Sequence, residues 1–155
     1  MADPLSIIAS TITVVGAAIT VSDTVLSSIS QLRNAPDEII FLQNDVADTR
    51  LILSNIKDNA GEDRSLDARL ALPDHAGVYG SPENISKAEY LIKRVERVLR
   101  EIDTVLQNVT KTRTLGGTTV HRRAWILYRS KLGSLRQELR DLKASVAVHF
   151  SASSR

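Results

Sequence analysis

From Leu5 to Ser22 the chain runs through eighteen residues, LSIIASTITVVGAAITVS, without a single charge, and its first basic residue is Arg33. A surface helix normally carries charges on its outer face. This stretch therefore restricts the chain to folds that enclose one largely apolar helix, among other helices or in lipid. Asp3 followed by Pro4 is a helix start, because the carboxylate can accept first-turn N–H groups while proline arrives with φ already set. The predicted helix covers about 4–32. Its apolar residues form two seams, Leu5, Ile8, Ile12, Val15 and Ile19 on one and Ile7, Val14, Ala18, Val21 and Val25 on the other. Between them runs a narrow row of Ser6, Ser10, Thr13, Ala17, Thr20, Thr24 and Ser27. At about 1.5 Å per residue the uncharged part is roughly 27 Å long, just short of the ~30 Å hydrocarbon core of a bilayer. Hydroxyls bonded back to their own helix, with Gly16 and alanines that allow close approach, suit a packed membrane helix as well as a bundle core. A secretory signal is not expected, since Asp3 stands where such a signal carries cations.

Three more helices follow. Ala35-Pro36 separates the first from the second, and Asp37 and Glu38 fall in the first turn, where the helix dipole favours anions. Ile39, Leu42, Val46, Thr49, Leu53 and Ile56 recur at helical spacing, giving a helix over about 36–57 with a stop near Asn59-Ala60-Gly61. Residues 58–80 hold Gly61, Pro73, Gly77 and Gly80 and are expected as a loop with a short helical turn at Ser65 to Leu72. Ser81-Pro82-Glu83 repeats the start signal, and Ile85, Ala88, Ile92, Val95, Leu99, Ile102, Leu106 and Val109 form the seam of a third helix over 82–112. Gly116-Gly117 makes a turn. A fourth helix over 119–148 carries Trp125, Tyr128, Leu132, Leu135, Leu139, Leu142 and Val146. No strand pattern is apparent. The expected fold is all-α, an antiparallel four-helix bundle in one domain over 1–150, with a long loop between helices two and three and a linker-like tail at 151–155.

The chemistry-bearing residues do not assemble into a catalytic pattern. His75, His121 and His149 are scattered, there is no cysteine, and no glycine-rich strand-turn-helix loop is present to hold a nucleotide. Neither an enzyme activity nor a cofactor or metal is expected. The charge, by contrast, is unevenly placed. Residues 1–60 hold three Lys and Arg against seven Asp and Glu, whereas the rest hold seventeen against eleven. The two halves can attract each other across a bundle.

On the fourth helix, Arg122, Arg129, Arg136 and Lys143 recur every seven residues, with Arg123, Lys131 and Arg140 beside them. Such a row can meet anionic lipid headgroups at about 1 kcal/mol per cation, or it can be a solvated face neutralised by the acidic second helix. The candidate lipid-binding residues are Arg122, Arg129, Arg136, Arg140 and Lys143, and the candidate inserting residues are Leu5, Ile8, Ile12, Val15 and Ile19. Nucleic acid is not expected as a partner, since aromatic residues are 4% of the chain and no groove-reading motif occurs.

The opening MADPLSIIAS, the tract that follows it and the segment RRAWILYRSKLGSLRQEL resemble the HeLo-like N-terminal domain of fungal STAND proteins over nearly the whole chain. That resemblance implies a four-helix effector domain related to HeLo and to necroptotic cell-death bundles, acting in cell death or innate immunity. It implies a cytoplasmic domain that self-associates, answers to an attached or separate STAND regulatory region, and is recruited on activation to a membrane, expected to be the plasma membrane. It implies no catalytic residue, and maps only residues 4–22 as an inserting segment. The competing expectation is a soluble adaptor for homotypic protein interactions, with the first helix a permanent part of the core.

Overall fold

The computed structural model describes residues 4–70, 82–113 and 117–153, with side chains described over 11–60, 87–110 and 117–151. Four helices dominate it: α1 (Pro4–Ser30), α2 (Asp37–Leu70), α3 (Pro82–Val109) and α4 (Arg122–Ser153). Both prolines predicted at a first helical position, Pro4 and Pro82, open their helices. α2 is entered through Pro36, whose carbonyl accepts from the Ile39 N–H at 2.9 Å, and through Asn34, which adopts a left-handed φ of 56°.

Consecutive helices run antiparallel. Around the square, α1 packs on α2 and α3, and α4 packs on the same two. α2 and α3 therefore stand on a diagonal.

The predicted seams are the core. Ile39, Leu42, Val46, Thr49 and Leu53 of α2 are buried, as are Ala88 through Val109 of the α3 seam and Leu132, Leu135, Leu139, Leu142 and Val146 of α4. α3 also buries Leu91, Val98 and Val105, a second column that follows from its having packed neighbours on two sides.

Three expectations fail. α2 does not stop near Gly61 but continues to Leu70, taking in most of the predicted short helical turn; a single glycine inside a helix costs only about 1 kcal/mol. His75 lies outside the described residues. At the other end of the bundle there is a small sheet where none was expected. α3 ends at Val109 rather than 112, and Thr110–Arg113 (β2) pairs antiparallel with Gly117–Val120 (β3), which in turn pairs in parallel with Leu32–Arg33 (β1). The order is β1-β3-β2. Thr110, Thr112, Thr118, Thr119 and Val120 are β-branched and favour extended backbone, and Gly117 takes the positive φ of 82° at the start of β3. α1 accordingly ends at Ser30, two residues early, and α4 starts at Arg122 with His121 as its cap: the Ala124 N–H donates to His121 Nδ1 at 3.3 Å. Lastly, α4 runs on to Ser153, so most of the expected tail is helix, and Ser151 donates to the Ala147 carbonyl.

Candidate membrane-facing surfaces

α1 is a corner helix rather than a central one. Its buried line is Val15, Ala18, Ser22, Val25 and Ile29, with Val21 beside it. This line runs between the two predicted seams on the side opposite the hydroxyl row, because a helix wedged between α2 and α3 turns that side inward. Of the candidate inserting residues, Val15 is buried and Ile12 and Ile19 are half-buried; Leu5 and Ile8 belong to α1, but their side chains lie outside the described residues. The hydroxyl row faces outward, with Thr13, Thr20, Thr24 and Ser27 exposed. Of its described hydroxyls, Thr20 donates to the Gly16 carbonyl and Thr24 to the Thr20 carbonyl, and beside the row Ser28 donates to the Thr24 carbonyl, all at 3.0 to 3.1 Å. In the core, Ser22 donates to the Ala18 carbonyl at 2.9 Å. A helix with its polar side chains satisfied in this way needs little from water. Its one charged residue beyond Asp3 is Asp23, which accepts a hydrogen bond from Arg50 of α2; that bond and the carboxylate's charge raise the Arg50 pKa above the ordinary arginine value.

The basic row of α4 divides in two. Arg129 pairs with Glu38 at 2.7 Å, Arg136 Nε donates to Asp45 at 2.6 Å, and Lys143 lies 3.5 Å from Asp48 and 3.9 Å from Asp45. α2 and α4 run parallel, so acids spaced seven apart on one meet cations spaced seven apart on the other. Asp45 is buried, and its carbonyl also accepts from the buried Thr49 hydroxyl at 2.8 Å. Arg136 lies in addition over the Phe41 ring, 5.4 Å from its centroid. Three of the five candidate lipid cations are thus held by α2. Arg122 and Arg140 are exposed and form no ion pair among the described residues, as is true of Arg123 and Lys131. Beside this seam lies a cleft of 390 Å³, lined by Arg129, Gly133, Arg136 and Arg140 of α4 and by Glu38 of α2. At Gly133 an added Cβ would meet nothing within 4 Å, so the glycine leaves a notch in the helix surface.

Sequence reasoning overlooked the apolar residues outside the seams. Ile126 and Leu127 are 69% and 78% exposed, and Ile40 and Phe41 are exposed in the first turns of α2 at the same end of the bundle. No group of three or more His, Asp or Glu able to hold a metal occurs among the described residues.

No family model, curated protein or solved structure matches this chain. The likeness to HeLo-like domains rests on the residues quoted for it.

Proposed function

We propose that this domain is a membrane-targeting effector of the cell-death or innate-immunity type, which clusters, releases α1 and perturbs a bilayer with it. One observation carries this function: residues Thr11–Ser30 have a mean hydropathy of 1.6, yet only 33% of the span is buried inside the bundle. Core burial explains the inner line of α1 but not the absence of charge from the outer face before Asp23. Bilayer residence accounts for that absence, since each Lys or Asp at the middle of a spanning helix costs about 2.5 to 3.5 kcal/mol. The back-bonded hydroxyls support the same function, because an unsatisfied polar group in hydrocarbon is expensive. Release exposes Val15, Ala18, Val25 and Ile29, at about 1.5 to 3 kcal/mol for each large side chain left in water. Lipid restores that term, and the bundle alone cannot.

The test is dye leakage from vesicles containing phosphatidylserine, with the wild-type chain and with Thr13→Lys. Thr13 is exposed on α1, so the lysine leaves the fold and its melting temperature nearly unchanged while abolishing leakage. A Thr13→Lys protein that folds normally and still permeabilises the vesicles rules out insertion of α1.

The second function is a soluble adaptor that associates only with protein partners, and the deep burial of Val15, Ala18 and Val25 favours it. A wild-type chain that self-associates but neither binds nor permeabilises vesicles is the adaptor.

A further inference from the structure

We infer that the first two turns of α4 form the surface by which this domain docks on an anionic bilayer before α1 leaves the bundle. The inference rests on the membrane function proposed above and assigns the initial contact to residues outside α1 and outside the ion-paired row. Leu127 is the most exposed of the large apolar side chains described, and Ile126 beside it is as exposed as any other. Each has an arginine one turn earlier on the same face, Arg122 before Ile126 and Arg123 before Leu127, and Lys131 follows Leu127 one turn later. Those three cations are exposed and without an ion pair among the described residues, in contrast to Arg129, Arg136 and Lys143. No Asp or Glu occurs in α4 before Glu138.

Two adjacent apolar side chains framed by cations, with no acid on their own helix nearby, match the boundary of an anionic membrane. The guanidinium and ammonium groups reach headgroup phosphates, and Ile126 and Leu127 reach the first acyl carbons. Ile40 and Phe41 are exposed in the first turns of α2, the helix whose Glu38 pairs with Arg129. A protein partner would need an acidic groove for the same surface. An anionic bilayer offers negative charge and apolar depth together.

The single tryptophan of the chain, Trp125, is half-buried next to this pair and reports on it directly. The experiment is co-sedimentation of the full chain with phosphatidylcholine vesicles, with and without phosphatidylserine, alongside Trp125 emission. Docking shifts the emission to the blue, makes it quenchable by phospholipids brominated on the acyl chain, and depends on phosphatidylserine. I126S/L127S should weaken vesicle binding by about tenfold or more, and R122Q/R123Q should weaken it and flatten its salt dependence. All four positions are exposed, and circular dichroism verifies the fold; if I126S/L127S fails to fold, R122Q/R123Q carries the test. Vesicle binding and leakage with Trp125 emission unmoved, or I126S/L127S bound as tightly as wild type, overturns docking at this surface and leaves α1 insertion standing. An I126S/L127S chain that loses self-association in vesicle-free buffer shows the pair covered by a second copy, and overturns it too. No sedimentation of wild type with anionic vesicles sinks the membrane function itself.

Discussion

Arg136→Gln separates a structural cation from a lipid-facing one. Arg136 Nε bonds a carboxylate whose side chain is only 12% exposed, and the arginine itself is 29% exposed. Removing one partner of a fully buried pair costs about 3 to 5 kcal/mol, because a charge stays behind out of water. A fully exposed pair is worth about 0 to 1 kcal/mol. The Asp45–Arg136 pair lies between these limits, and Lys143, 3.9 Å from the same carboxylate, remains to compensate in part. A loss of about 2 kcal/mol is expected, equivalent to about 4 to 8 °C in melting temperature for a chain of this size. Arg129→Gln is the control: its pair with Glu38 has side chains 64% and 42% exposed, so it should cost no more than about 1 kcal/mol. Urea unfolding followed by circular dichroism measures both. The cycle is completed with Asp45→Asn, alone and with Arg136→Gln, and the coupling should exceed about 1 kcal/mol. Equal losses for Arg129→Gln and Arg136→Gln, or a coupling near zero, would refute the assignment of Arg136 to the α2–α4 seam and return it to the lipid-facing set.

Two other outcomes follow from the packing. Leu99→Ala removes a side chain with no exposed surface from the middle of α3, and urea titration should find a loss of about 2 to 5 kcal/mol; a loss within that of a surface substitution means the α3 seam is not core. Gly117→Ala should cost about 1 to 2 kcal/mol, since φ is +82° and the new Cβ lies 3.4 Å from Arg33 Nε. Pairing it with Arg33→Ala should recover little, because the strain is in the backbone, and a full recovery would locate it in the side-chain clash instead.

The helices were legible because each carries its own signal. Prolines at positions 4 and 82 mark two starts, and the three-four spacing of residues such as Ile92, Leu99 and Ile102 marks a buried face without reference to the rest of the chain. The sheet was not legible, since β1 has two residues and β2 and β3 four each, too short for alternation to register, and β1–β3 pairing joins positions over eighty residues apart. The α2–α4 seam was half legible. The seven-residue spacing of Arg129, Arg136 and Lys143 stood out, while Glu38 and Asp45 keep the same interval on α2; which two helices are neighbours is what the sequence alone left open. Ile126 and Leu127 escaped notice because an apolar residue off a seam carries no periodic signal.

The sheet also gives the bundle a mechanical polarity. It fastens the end of α1 to the start of α4 and the end of α3, so three helix termini are clamped at one pole. At the opposite pole, where α1 begins and α4 ends, no strand pairing among the described residues ties the helices together. A helix leaving such an assembly peels from the unclamped pole and pivots near Leu32. In the release proposed above, the amino-terminal half of α1 would therefore travel farthest, with Ser22 to Ile29 the last to let go.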